Sequence, residues 1–458
     1  MNPSLFLEYI DKYFRLVVGK ITEKFNGKAT ETVLLHKTML TEEYSADLTW
    51  GATELDHAIV AADVVALDSP LPLKRRSTIG NASGKLPKMG VKYRKGEKAI
   101  SDINVMIARG ADESTVASKI FDDASKCIKA IDIRTEIMFL QALSTGICLV
   151  EDDDLNNGTA IRASFGYKDE NTFHTTNGKW AQTTGALNTN AKPKEDVQQM
   201  FDKAQADGNS IGHVYISKKY FDLFRNSEEG KLMAASYQGQ VIVDSSLLAV
   251  ASRQTFLDTL SDEYGATFHI IDSAFRIEKK DGSRTSVVPW EQANVVGVPA
   301  EVVGRLVYGT LAEETNPVNG VNYQKSGSHI LISKYSKTDP LEEFTAGQAL
   351  AIPVIDGADA IYVLHADADA PLSVDPDELE FDSTASNKTC AVHYDGKGTL
   401  SATSSADFAT ATLSKGKVKV AVTANTGDSA VERTAVITIS DGTNSVTIDV
   451  TQAAPAAA

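Results

Sequence analysis

The order of apolar and polar positions divides the chain into stretches of different period. Near the start, Leu5, Phe6, Tyr9, Ile10, Tyr13, Val17 and Ile21 recur at three- and four-residue steps, the spacing of one helix face. Asp11, Lys12 and Arg15 interrupt the apolar stretch, and no small-residue cleavage site follows. The pattern therefore predicts an amphipathic arm that packs on something, not a signal sequence. Residues 45–70 are mixed, with alternation near Ile59 to Leu67. The turn-rich GNASGKLPKMG (Gly80 to Gly90) then predicts the tip of a long hairpin loop between extended flanks. Long loops without internal structure are uncommon unless they serve binding.

The strongest periodicity runs from Asp112 to Thr145, where Val116, Ile120, Ala124, Cys127, Ile128, Ile131, Met138 and Ala142 recur at helical steps. Asp112, Glu113 and Ser114 suit a helix start, and Gly146 suits the position just past its end. A helix of about 34 residues spans about 50 Å. No heptad seam is kept throughout, so the pattern predicts a scaffold helix and not a coiled coil.

Residues 150–192 are polar and rich in Gly, Asn and Thr, reading as strands and loops. A compact α/β stretch follows: a helix at Lys194 to Asp207 with Val197, Met200, Phe201 and Ala204 on one face, a strand at His213 to Ser217, and a helix from Lys218 to Arg225. A mixed β region reaches residue 370 and includes ALAIPVIDGADAIYVLHAD, which reads as buried strands around a turn at Asp356 and Gly357. From Pro371 the texture changes. Phe381, Tyr394 and Phe408 are the only aromatics there, and KVKVAVTA, RTAVITIS and NSVTIDVT alternate between the turns NTGD and SDGTN. That predicts an antiparallel β-sandwich of immunoglobulin-like type, with the tail PAAA frayed.

Composition narrows the function. At 458 residues the chain has room for two or three domains, and 42% apolar with 23% charged residues is ordinary for globular proteins. No run of eighteen uncharged apolar residues exists, so no transmembrane helix is expected. Cys127, Cys148 and Cys390 are too few and too scattered for a disulfide framework or a zinc site, which fits a reducing cytoplasm. A net charge of −16 argues against nucleic-acid binding as the main task. One segment runs against that charge: Lys74, Arg75, Arg76, Lys85, Lys88, Lys92, Arg94, Lys95 and Lys98 stand with a single acid, Glu97. An acidic chain with one basic segment is electrostatically suited to bind copies of itself.

Motifs of catalysis are not found. GNASGK has the wrong glycine spacing for a phosphate loop, and Leu86 stands where a magnesium-binding hydroxyl is needed. The run Glu151 to Asp154 lacks the alternation of a calcium loop and reads as a solvated loop. HADADA (His365 to Ala370) reads as a linker, and no histidine has the partner pattern of a general base. No enzyme activity, cofactor or metal is expected.

Arm, basic loop, very long helix and mixed α/β domain, in that order, resemble the major capsid proteins of tailed phages with the Hong Kong 97-type fold, and more closely the lambda-like capsid protein E family. The likeness is carried by KLPKMGVKYRKGEKAI, DESTVASKIFDDASKCIKAIDIRTEIMFLQALSTGI, VYISKKYFDLFRNSEEGK and KTDPLEEFTAGQALAIPVIDGADAIYVL, and covers residues 1–370. It implies an α+β capsid fold with an N-arm (1–45), an extended loop lying over a neighbouring subunit (68–100), a spine helix (112–145) and much of an axial domain (194–300). The nine basic residues then become inter-subunit contacts. The implied partners are further copies in hexamers and pentamers, portal and scaffold proteins, and DNA packaged without sequence-specific binding, in a virion head made in the host cytoplasm. Covalent crosslinking, seen in some relatives, is not expected.

The last part, 371–458, resembles a BACON domain on LSVDPDELEFDST, AVTANTGDSAVERTAVITIS and VTIDVTQ. Such modules are proposed to bind mucin or other glycan. Leu400 and Phe408 stand where tryptophans are usual, which makes a structural outer-surface role the expectation, with Tyr394 and Phe408 as the candidate glycan contacts. Two other readings are a tail-tube protein, which has no use for a helix of this length, and a glycan-binding surface protein, which needs a secretion signal.

Overall fold

The computed structural model describes residues 2–19, 34–52, 82–150, 161–182, 184–239, 248–278, 282–369, 372–393, 400–414, 417–426, 431–441 and 445–455. It divides into two compact units: Met1–Asn171 with Lys203–Lys218 and Gly265–Val363, and Thr172–Asp202 with Lys219–Tyr264 and Leu364–Ala458.

The first unit is organised by one helix and one strand. In chain order it contains α1 (His36–Met39), β1 (Leu40–Tyr44), β2 (Thr49–Ala52), β3 (Ala82–Lys85), β4 (Lys88–Lys95), α2 (Glu97–Ala108), α3 (Glu113–Thr145), β5 (Gly304–Gly309), β6 (Asn322–Ser326), β7 (Ile330–Thr338) and β8 (Leu341–Ile355). The 33 residues of α3 and the 15 of β8 each extend about 50 Å, at about 1.5 and 3.3 Å per residue. Asp112 caps α3 by accepting from the Ser114 and Thr115 amides at 3.1 and 3.3 Å, and Gly146 ends it at φ 71°.

The predicted apolar face of α3 is buried, from Val116 and Ile120 to Met138 and Ala142. Its two halves differ. From Val116 to Ile131 one stripe is covered, whereas Thr135 to Leu140 are all buried, so the second half passes through the core.

Strand β8 is long enough to serve two neighbours on one side. Its residues Glu343–Leu350 pair with β4, and Leu350–Ile355 pair with β5. β7 lines its other edge, followed by β6, and β1 adds in parallel outside β5. Along β8, Glu343, Thr345, Gly347, Ala349 and Ala351 are buried while Phe344, Ala346, Gln348 and Leu350 are partly covered, the two-residue period of a sheet with unlike faces. Gly347 is required where α3 crosses, since a Cβ there would lie 2.7 Å from the Cys127 Cβ. Burial pushes the thiols of Cys127 and Cys148 up to about 12, so both are inert packing groups.

A separate ladder in this unit places His213–Ser217 between Asn294–Val298, antiparallel, and Thr267–Ile271, parallel. In the second unit, Trp180 lies 5.6 Å from Phe224 of the helix Lys218–Asn226, and Phe256 of the helix Arg253–Tyr264 meets both Phe221 and Phe224.

His365 to Asp369, expected as part of a linker, instead belong to the strand Tyr362–Asp369. Ala366 O accepts the Trp180 amide at 2.9 Å, and the Asp367 carboxylate accepts the Tyr220 hydroxyl. The polar and small residues of this stretch disguised a strand in which the Ala366 carbonyl and the Asp367 carboxylate find partners.

The C-terminal residues form two four-stranded sheets, Ser373–Asp375, Ser386–His393, Lys417–Val422, Ala409–Ser414 and Glu378–Phe381, Ser445–Gln452, Arg433–Ser440, Ser401–Ser404. Between them lies a core of Leu379, Phe381, Cys390, Val418, Val420, Ile437, Ile439, Ile448 and Val450. One pair departs from the antiparallel expectation, Glu378–Phe381 running parallel to Ser445–Gln452. Buried Gln452 secures that region, donating to the Asp382 and Thr423 carbonyls at 3.0 Å and accepting from Arg433 Nε at 2.9 Å.

Candidate functional site

Three anchored segments of the first unit make up the candidate site, and each is held by a buried or partly buried ion.

The first is the arm. Phe6, Ile10, Phe14 and Val18 are buried at four-residue steps, and Phe14 stacks on Phe121 of α3 at 5.5 Å. The turn is a π-helix over Ile10–Phe14. Asn2 bridges Ser336 of β7 in both directions, at 3.2 and 2.9 Å. Next to this bridge the Glu343 carboxylate, fully buried, accepts the Ser4 hydroxyl and, at 3.1 Å, the Leu5 amide. Its counter-ion is Lys334, equally buried, at 3.2 Å. Lys334 Nζ also donates to Thr345 Oγ1 at 3.3 Å and to the Ile120 carbonyl at 3.5 Å, so all of its protons are used. Burial lowers the Lys334 pKa and the Glu343 charge opposes that shift.

The second segment is the chain entering α1. Glu136, wholly buried on α3, accepts the Leu35 and His36 amides at 2.9 Å each and His36 Nδ1 at 2.7 Å. One turn earlier, Asp132 meets Lys37 at 2.8 Å. A carboxylate at the start of a helical turn satisfies amides that lack partners within it.

The third is a two-stranded base, where the chain after β1 pairs with the chain before β4. β2 and β3 form an antiparallel ladder from Thr49↔Lys85 to Ala52↔Ala82, with residues 53–81 between them outside the described residues. Arg305 holds this base: its guanidinium grips Asp356 bidentately at 2.6 and 2.8 Å, meets Glu43 of β1, and donates to the Gly51 carbonyl of β2 at 2.9 Å.

Of the loop expected over 68–100, residues 68–81 lie outside the described residues. The β2–β3 ladder closes at Lys85, and Lys88–Lys95 is a strand of the main sheet. Met89, Val91 and Tyr93 turn inward while Lys88, Lys92 and Arg94 turn outward, an ordinary strand alternation that the density of positive charge concealed.

The nine basic residues are correspondingly dispersed. Lys74, Arg75 and Arg76 lie outside the described residues. Lys88 pairs with Glu313 at 3.0 Å, Arg94 with Glu342 at 2.9 Å, and Lys95 with Asp123. Lys92 lies over the Phe344 ring at 5.3 Å, while Lys85 and Lys98 are exposed. Three of the six described basic residues thus meet carboxylates of the same chain.

In the C-terminal sandwich, Tyr394 lies outside the described residues. Phe408 is half-buried against the core, and the Arg433 guanidinium covers its ring at 4.1 Å. The run Glu151 to Asp154 also falls outside the described residues. Among the described residues no cluster of three His, Cys, Asp or Glu is arranged to hold a metal ion, and no helix is long and apolar enough to cross a membrane.

Glu136, Glu343, Lys334 and Arg305 were not singled out from the sequence. A signal existed for Glu343, which occupies an inward position of an alternating strand, where a lone charge needs a partner. Nothing in the sequence pairs Arg305 with Asp356.

Several known proteins and families are similar to this chain. No curated protein matches. Among solved structures, the putative capsid protein of a prophage of E. coli CFT073 is 11% identical, with 77% of this chain and 98% of that chain covered and a TM-score of 0.46. A phage-related protein of Bordetella bronchiseptica RB50 is 8% identical over 77% and 97%, with a TM-score of 0.44. A Bacteroides ovatus GH5 xyloglucanase in complex with a XXXG heptasaccharide is 29% identical over 19% of each chain, with a TM-score of 0.16. The BACON family, described as a putative binding domain, N-terminal, matches residues 399–453. The family described as phage major capsid protein E matches residues 20–365, about three quarters of the 458 residues. The chain belongs to the phage major capsid protein E family and carries a C-terminal BACON domain.

Proposed function

We propose that this chain assembles with copies of itself, as hexamers and pentamers, into the icosahedral head shell that encloses phage DNA, and that it does so without catalysis. The observation that carries the reading is the anchoring pattern. Arm, α1 entry and β2–β3 base are each fixed at one end on the scaffold of α3 and the main sheet by Glu343, Glu136 and Arg305. Segments secured at their roots in this way are suited to reach a neighbour in a defined direction. The residues from the β2–β3 base to Lys98, with Lys74, Arg75, Arg76, Lys85, Lys92 and Lys98 as the basic contacts, are proposed to meet acidic surface of the adjacent copy. The net charge of −16 disfavours adhesion to the packaged DNA. Portal and scaffold proteins are the further partners, and assembly takes place in the host cytoplasm.

The BACON domain is proposed to face outward as a mainly structural decoration. Coverage of Phe408 by Arg433 leaves one ring face fewer for stacking on a sugar, which supports a structural role over glycan binding. Electron microscopy of shells from the full chain and from a variant lacking residues 372–458 tests both parts. The reading expects closed shells from each, with surface knobs only on the full chain. Tubes in place of shells overturn the first part, and knobs retained after the deletion overturn the second.

A further inference from the structure

Four of the eight histidines stand in two cross-strand pairs, His213 with His269 and His174 with His365. The first pair has the more telling geometry. His213 opens the strand His213–Ser217, and His269 lies on the parallel strand Thr267–Ile271, which among the described residues has no further strand beyond it. His213 Nδ1 and His269 Nε2 are 3.0 Å apart, while the ring centroids are 5.2 Å apart. Each ring therefore extends away from its contacting nitrogen, and the two nitrogens point at one another. That is an N–H···N hydrogen bond, not two lone pairs converging on a common ion.

Such a bond has a definite proton count. With both rings neutral, one contacting nitrogen carries hydrogen and the other offers its lone pair. One added proton, taken at a nitrogen outside the contact, keeps the bond. A second added proton places N–H on both contacting nitrogens and sets two positive charges side by side. We propose that the His213–His269 pair is an acid-sensitive clasp that holds the strand Thr267–Ile271 at the edge of its ladder and releases it when both rings are protonated.

The surroundings favour the closed state. Tyr215, from the strand of His213, stacks on His269 at 4.7 Å. Burial, then the neighbouring His213, holds His269 below the ordinary histidine value, and the exposed Glu301 beyond the strand Asn294–Val298 partly offsets this. The Lys218–Asp272 pair, 3.6 Å apart, lies at the opposite end of the ladder, past Ser217 and Ile271. Opening is therefore expected at a pH below the ordinary histidine value of about 6.5.

Hydrogen exchange of the full chain at pH 7.5 and pH 5.0, corrected for intrinsic rates, tests the clasp. The peptide covering residues 266–272 is expected to lose about tenfold or more of its protection at the lower pH, equivalent to one pKa unit or more. In His269→Gln a side-chain amide replaces Nε2, donates to His213 and does not titrate, so the pH effect is expected to shrink to less than about twofold. Where that variant fails to fold, His213→Asn places an amide at the Nδ1 position and is read the same way. A wild-type peptide whose protection is unchanged by pH, or a variant that loses as much as wild type, overturns the proposal. Both measurements are independent of shell assembly.

Discussion

Replacing Glu343 by Gln is the most informative single perturbation of the arm. In the native chain its carboxylate balances Lys334 and accepts from the Ser4 hydroxyl and the Leu5 amide, and both charged side chains are cut off from solvent. The amide keeps the shape and one acceptor oxygen but removes the charge. Lys334 is then a buried cation with no counter-ion beside it, and breaking a buried pair from one side costs about 3–5 kcal/mol. The loss is local, so exchange protection of the arm, residues 2–18, is expected to fall by roughly 100-fold or more, the equivalent of about 3 kcal/mol.

A second variable separates this cause from simple misfit. Burial lowers the Lys334 pKa, and deleting the Glu343 charge removes a group that raises it. A lysine depressed in the folded state binds fewer protons there than when unfolded. Stability therefore rises with pH between its folded value and the ordinary lysine value of 10.5. The deficit of E343Q relative to wild type should shrink between pH 7 and pH 10. The double variant Lys334→Met with Glu343→Leu, which removes both ions, should be more stable than E343Q. A deficit below about 1 kcal/mol, or one that is constant with pH, would refute the assignment of the arm's anchorage to this pair.

Other perturbations test the remaining joints. Glu136→Ala removes the acceptor for two amides and His36, and is expected to cost about 3 kcal/mol or more in thermal or urea unfolding, since hydrogen bonds to a buried charge contribute about 1.5–3 kcal/mol each. Arg305→Lys keeps charge but loses the bidentate grip on Asp356 together with Gly51, so exchange at Thr49 to Gly51 should accelerate while α3 remains protected. Gly347→Ala drives a methyl to 2.7 Å from Cys127 and is expected to destabilise by about 1–3 kcal/mol, read as a lowered melting temperature. Arg433→Ala uncovers Phe408 and frees Gln452, and should lower the melting of the C-terminal sandwich with little change elsewhere.

What was legible in the sequence followed periodicity. The spacing from Val116 to Ala142 located α3, Asp112 and Gly146 marked its ends, and the alternation of KVKVAVTA and RTAVITIS located two sandwich strands. Tertiary pairing was less legible. KMGVKYRK read as loop because its outward positions are basic, although its inward positions Met89, Val91 and Tyr93 carry the strand period. HADADA read as a linker because its polar side chains find partners only through contacts distant in sequence, such as Asp367 with Tyr220. The anchors are harder still. Glu136 and Glu343 are ordinary acids until the arm and the α1 entry are folded over them, and sequence separations of 100 and 339 residues give no local trace of those bonds.

The proposed shell is tested most directly by electron microscopy of the purified 458-residue chain, alone and with the proposed scaffold protein. Closed icosahedral particles built from hexamers and pentamers are expected. Stacked rings or open tubes, or a persistent monomer under all conditions, would contradict the reading of this chain as the head-shell subunit.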